Sequence, residues 1–285
     1  MTTQEVTASM SRSHLLRRFL DSTGLLTLAR HVYPAYIHAV GVRTRRENDR
    51  FVRNWPADAL PLPPPRLFYL VNGQYNVERF LKNGELGAKC IRDVLAKNGL
   101  RLENFQAILD FGCGCGRVMR HWSTLRNSRL YGTDYNASLV DWCRGALPFA
   151  QFSVNELEGR LSYDDAQFDF IYSISVFTHL TVAQQRAWMK ELFRVLRPGG
   201  YVYVTVHGLM AHMLTPEEQA SFEAGNPVVF GKGHAGSNIC ASFCPEPFMR
   251  NDLAKDFTVV DYVPLGAQDA GQDVYLLRKP VAERG

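Results

Sequence analysis

No run of about eighteen uncharged apolar residues occurs in the 285-residue chain, so no membrane-spanning helix is expected. Residues 1–11 are polar and lack the apolar core of a secretory leader, and a cytoplasmic location is the expectation. Cysteine is sparse, with six residues at irregular spacing. Cys240 and Cys244 lack the paired C-x-x-C partner of a zinc site, and Cys113 and Cys115 fall among glycines. Reduced thiols and no bound metal are expected. Basic excess is missing from most of the chain: residues 67–285 hold 22 Lys+Arg against 23 Asp+Glu, whereas residues 1–66 hold 10 against 5. That excess includes Arg12, Arg17, Arg18, Arg43, Arg45, Arg46, Arg50 and Arg53. Without an aromatic groove in the remainder no DNA partner is expected, and the basic segment reads as a helical arm or the contact of a homodimer. Two nucleotide signatures are also missing. No Gly-Lys-Ser/Thr closes a P-loop, and the third glycine of a dinucleotide fingerprint falls on Arg117 or Met119.

What is present is Asp110-Phe111-Gly112-Cys113-Gly114-Cys115-Gly116-Arg117, which ends an apolar strand-like segment and opens a helix-like one through Val118, Met119, Trp122 and Leu125. Alternate glycines let the backbone turn sharply and approach a ligand without Cβ clashes. An acid before such a turn suits a ligand that carries positive charge rather than phosphate. Eighteen residues after Gly116, Leu130-Tyr131-Gly132-Thr133-Asp134 reads as a second strand ending in an acid able to accept two hydroxyls. Residues 149–153 and Phe168-Asp169-Phe170-Ile171-Tyr172-Ser173 read as two more strands. A helix end, Pro198-Gly199-Gly200 and a strand over 201–206 follow.

These motifs, in this order over residues 105–207, resemble the class I S-adenosylmethionine-dependent methyltransferases. The resemblance implies an α/β fold: a Rossmann-like, doubly wound, mostly parallel seven-stranded sheet with an antiparallel last strand, here with an N-terminal helical extension. It implies S-adenosylmethionine as cofactor, with Asp110 at its amino group and Ser173 offering a carbonyl near its methionine end. It places Asp134 at the ribose hydroxyls, Tyr135 against the adenine, and Asn155 or Glu156 at the adenine edge. Phe111, Gly112, Cys113, Gly114, Gly116 and Arg117 complete the expected cofactor site. Residues 109–122, 174–180, 238–241 and 272–280 further resemble a bacterial subgroup of these enzymes, whose acceptors the resemblance leaves open.

Along the chain, residues 1–55 read as a helical arm and 56–66 as a stiff connector; 55–65 hold five prolines. Residues 67–104 read as a helical cap with helices over 77–83 and 86–97, and 105–285 as the core. After the fifth strand an insertion over 208–244 carries Thr215-Pro216-Glu217-Glu218, a helix start, and then the glycine-rich 231–238. Insertions at the C-terminal edge of a parallel sheet lie where ligands bind, so this one reads as a substrate lid. Residues 247–254 read as a helix, and 257–263 with 274–278 as a closing pair of strands.

Methyl transfer is an in-line displacement that needs alignment and loss of a proton from the acceptor. His207 and His179, after the fifth and fourth strands, are the candidate bases, although Thr181 to Gln184 also forms a capping box beside His179. Tyr69, Asn72, Tyr75 and His234 are candidate substrate contacts. No Asn/Asp-Pro-Pro-Tyr/Phe follows the fourth strand, which reads Ser173-Ile174-Ser175-Val176-Phe177. In the family this disfavours base and glutamine amides, so O-methylation of a sugar or metabolite hydroxyl leads. N- or S-methylation, or a catalytically silent S-adenosylmethionine-binding partner protein, are the alternatives.

Overall fold

Short, almost wholly apolar strands cannot face water on either side and must be covered by helices on both. In the computed structural model, which describes residues 44–208 and 214–281, β1 (Ala107–Phe111) and β4 (Phe168–Ser173) are buried along their whole length. With β2 (Arg129–Asp134), β3 (Ala150–Val154), β5 (Leu196–Val206), β8 (Thr258–Ala267) and β9 (Gln272–Arg278) they form one seven-stranded sheet of order β3-β2-β1-β4-β5-β9-β8. The first five strands pair in parallel, and β9 runs antiparallel between β5 and β8. Strand order reverses between β1 and β4, which leaves a crevice beyond their C-terminal ends.

Side chains alternate across each strand and feed two cores. Leu109, Ile171, Val202 and Val204 pack on one face against Trp188, Met189 and Leu192 of α5 (Val182–Val195). Ile108, Phe170, Tyr172 and Tyr203 pack on the other against Ile91, Val94 and Leu95 of α3 (Val77–Lys97) and Val140 of α4 (Ala137–Ala146). Residues 44–53 are helical (α1), and Asn48 of α1 donates to Tyr75 O and accepts Val77 N–H, tying α1 to the start of α3. Residues 1–43 of the expected arm lie outside the described residues.

Several expectations are corrected. Two helices over 77–83 and 86–97 are one continuous α3. Gly84 and Gly87 are not breaks but close approaches: a Cβ on Gly84 would stand 2.3 Å from Arg117 O, and one on Gly87 2.9 Å from Asp269 Oδ2. Most of the expected cap is thereby a layer of the core. The segment after the glycine turn holds only the 3₁₀ turn Met119–Trp122 instead of a helix. The proline run is extended only to Pro64 (ψ 147°), because Pro65 occupies the first position of α2 (Pro65–Asn72), where a missing N–H costs nothing. Arg120 donates to Leu60 O and Pro61 O and fastens the connector to the core. The helix over 247–254 is a short turn, Glu246–Phe248, continued by a π-turn, Met249–Leu253.

In the insertion, α6 (Pro216–Glu223) starts with a capping box between Thr215 and Glu218, followed by a two-stranded ribbon of β6 (Val228–Phe230) and β7 (Ala241–Phe243). Residues 209–213 lie outside the described residues. Among those described, no helix is long and apolar enough to cross a membrane.

Helix propensity alone favours Gly84→Ala by about 1 kcal/mol. The contact with a backbone oxygen reverses the sign, and urea denaturation should show a loss of roughly 1–3 kcal/mol.

Candidate cofactor and acceptor site

The turn after β1 holds Gly112, Gly114 and Gly116 at φ +79°, +55° and +75°, a region that disfavours side chains. Space forbids them as well. A Cβ on Gly112 would stand 2.2 Å from Val176 Cγ2, and one on Gly114 2.6 Å from Val71 Cγ2, so the turn is roofed by α2 on one side and the β4 exit on the other. The Cys113 and Cys143 thiols both point at Gly114 O, at 3.6 and 3.4 Å. The neighbouring Cys143 pushes the Cys113 thiol well up, as does burial, which makes these small packing groups rather than nucleophiles. All six cysteines are buried unpaired thiols, and no cluster of metal-ligating side chains occurs among the described residues.

Asp110 sits at the C-terminal end of β1 between Gly132 and Tyr172 on the flanking strands. The Tyr172 hydroxyl donates to its Oδ2 at 2.8 Å, and Trp122 Nε1 donates to the Tyr172 hydroxyl at 3.0 Å. Burial raises the carboxyl to about 7, against the pull of the Tyr172 hydrogen bond and Arg117; Asp134 adds a further push upward. Asp134 does a job the sequence did not suggest. Its Oδ2 accepts Gly114 N–H and its Oδ1 accepts Asn136 N–H, both at 2.9 Å, so it clamps the glycine turn to the start of α4. Burial raises its pKa while these two N–H groups lower it. Each oxygen still has a lone pair for a ligand hydroxyl.

The other expected contacts are spread more widely. Arg117 is committed to a buried ion pair with Asp269 (2.8 Å) and to Asn83 O (2.8 Å), joining the β8–β9 turn to α3. Phe111 lies in the core, 4.8 Å from the Trp188 ring. Asn155 accepts from Thr133 Oγ1 and donates to Glu156 O. Ser173 is fully buried, its hydroxyl without a partner among the described residues. Tyr135 donates to Gly236 O of the insertion at 2.6 Å. His179 donates from Nδ1 to Cys240 O at 2.7 Å and accepts Gly236 N–H at its carbonyl, so the insertion is fastened to β2 and β4 at once. Asn238 reaches Leu70 O of α2 at 3.4 Å. Tyr69 stacks on Tyr75 at 4.7 Å, and Asn72 Nδ2 is buried without a partner among the described residues. His234 closes a 3₁₀ turn, Lys232–His234.

A polar network that the motifs did not announce joins the ends of β4, β5 and β9. Ser175 has φ +60° and donates its N–H to Thr205 Oγ1 at 2.8 Å. The Thr205 hydroxyl therefore donates onward to Gln272 Oε1 (2.6 Å), which turns the Gln272 amide NH₂ toward Ser175 Oγ (2.6 Å) and His207 Nε2 (3.4 Å). His207 is 4% exposed and lies 5.3 Å from the Phe243 ring. Gln272 opens the last strand and Ser175 is a non-glycine in a left-handed conformation; neither property is visible in one sequence.

This arrangement suits a cofactor that is cationic at one end and carries vicinal hydroxyls at the other: a buried acid at the β1 end, a second acid at the β2 end, and a glycine turn between them. Residues 109–204 match the methyltransferase domain family. Over half of this chain the sequence is 29% identical to malonyl-[acyl-carrier protein] O-methyltransferase from Salmonella typhimurium, of which the match covers 50%. It is 26% identical over 48% of the chain to phosphoethanolamine N-methyltransferase 1 from Zea mays, covering 28% of that protein. The chain thus spans half or less of the length of these relatives. In fold it is similar to 1,6-didemethyltoxoflavin-N1-methyltransferase from Burkholderia thailandensis, solved with S-adenosylhomocysteine, at TM-score 0.51 and 17% identity over 79% of this chain and 94% of that one. Residues 109–204, which hold the glycine turn and both acids, are thus similar to a methyltransferase domain.

A folded-state pKa raised from 3.8 to about 7 means the native protein holds a proton on Asp110 that the unfolded chain has released. Stability from this group is full below about pH 4 and declines as pH rises through about 7. Asp110→Asn, which keeps the acceptor for Tyr172, should therefore melt above the wild type at pH 8 and near it at pH 4.5 in ligand-free scans.

Proposed function

We propose that this chain transfers the methyl group of S-adenosylmethionine to a hydroxyl oxygen of a small molecule such as a sugar or secondary metabolite. The observation that carries the small-molecule reading is the insertion seated over the strand ends, bonded to Tyr135, His179 and Leu70. Such a lid encloses an acceptor instead of admitting a polymer. The O-methyltransferase relative supports the choice of oxygen. When bound, the cofactor supplies an electrophilic methyl on a sulfonium.

This chain's residues would do the rest. The glycine turn and Asp110 hold the cationic end, Asp134 the ribose hydroxyls, and Tyr135 with Asn155 and Glu156 the adenine. Arg117 would act on that site at a distance, through its charge beside Asp110. Gln272 donates to His207 Nε2, which puts the ring proton on Nδ1 and leaves Nε2 as the basic atom, engaged by the amide only at 3.4 Å. His207 would receive the acceptor's proton there, with His179 a second base whose Nδ1 is likewise the donor. Asn72, Tyr69, Tyr75 and His234 would line the acceptor side. The buried, unpaired thiols support a reducing, cytoplasmic setting, and the basic arm supports a homodimer contact.

Thermal-shift titration should show stabilisation by S-adenosylmethionine and S-adenosylhomocysteine, none by NAD, and loss of the shift in Asp134→Ala. At 100 times the dissociation constant about 2.7 kcal/mol is added, well within detection. No shift with either sulfur ligand would overturn the cofactor reading. A panel of hydroxylated acceptors with labelled methyl then tests the oxygen reading; transfer confined to amines or thiols would refute it. His207→Ala should cut kcat by about 10²–10⁴-fold with cofactor affinity nearly unchanged, and an unaltered kcat would remove it from the mechanism.

A further inference from the structure

Asp110 and Tyr172 are register partners in the β1–β4 ladder, and their side chains meet on the same face of the sheet. The direction of the hydrogen bonds between them is fixed by chemistry. Trp122 Nε1 can only donate, so the Tyr172 oxygen accepts from it and the one phenolic proton is sent to Asp110 Oδ2. The other atom within the phenol's reach is Met119 Sδ at 4.0 Å, a weak acceptor. An ionised carboxylate accepts that O–H more strongly than a neutral acid does, so the bond favours the carboxylate.

We infer that Tyr172, oriented by Trp122, is a positioning residue that opposes the burial of Asp110 and favours its ionised form for the ammonium group of the cofactor. The inference rests on the cofactor reading above. The charged and titratable groups facing Asp110 are Tyr172 from β4, Arg117 and Cys113 from the glycine turn, and Asp134 from β2. Arg117 favours the same ionised state, but its guanidinium is already paired with Asp269; Asp134 and burial oppose it. Tyr172 is the one hydrogen-bond donor to the carboxylate among the described side chains, and removing its hydroxyl leaves burial less opposed.

The test is calorimetric binding of S-adenosylhomocysteine and of 5′-methylthioadenosine, which lacks the amino-acid part, to wild type and Tyr172→Phe between pH 6 and 9. The ligand's own amino titration enters both proteins equally, so the informative quantity is the ratio of their dissociation constants. For S-adenosylhomocysteine the variant should be about tenfold weaker near pH 6 and about fivefold near pH 7, as for a one-unit upward move of the acid limb, and should converge on wild type toward pH 9. For 5′-methylthioadenosine the ratio should stay near one throughout. A ratio independent of pH, or an equal loss for both ligands, would mean a merely structural role and overturn the inference. Should Tyr172→Phe not fold, Trp122→Phe frees the phenol to turn away and should show the same pH-dependent ratio, smaller in size; a flat ratio there likewise overturns it. Failure of wild type to bind either ligand would instead strike the cofactor reading itself.

Discussion

Two carboxylates buried at the ends of adjacent parallel strands set the terms for everything around them. An ionised group cut off from water costs several kcal/mol unless neighbours supply hydrogen bonds or charge. Asp134 meets that demand with two backbone N–H groups, and in doing so fixes the glycine turn. Asp110 meets it only in part, with one phenolic O–H and a cation that is shared elsewhere. The difference leaves Asp134 well satisfied within the fold and Asp110 with capacity to spare.

The glycine turn is constrained from three sides. Its conformation excludes side chains, Val71 and Val176 crowd it from above, and Leu147 and Cys143 from α4 and its exit crowd it from below. Backbone placed this tightly has little freedom to recoil, which suits a surface that must hold a reacting centre in line. The arginine that follows it, Arg117, extends that rigidity outward by joining α3 to the β8–β9 turn.

The insertion is held with similar economy. Its fastenings are hydrogen bonds from side chains near the strand ends to its own backbone, Tyr135 to Gly236 and His179 to Cys240. Two residues expected to touch ligand thus hold the insertion. The Ser175, Thr205, Gln272 and His207 network lies beneath it, where three strands end together.

The sheet was legible because its strands are apolar runs punctuated by glycine and acid, and strand 168–173 matches to the residue. The capping boxes at Thr181 and Thr215 were legible for the same reason, being local hydrogen-bond patterns written in adjacent residues. Gly84 misled, since a glycine that ends a helix and one that lets another chain segment approach look alike in sequence. Tyr172 stood in the sequence only as one residue of a strand; the parallel register that sets it opposite Asp110 gives it a polar task. What the sequence determined by itself was therefore everything local: strand apolarity, turn glycines, caps and the acids at strand ends. The partner of Asp110, the tautomer of His207 and the seat of the insertion were decided by tertiary structure, because hydrogen bonds between residues 60 or more positions apart depend on which strand ends the fold brings together.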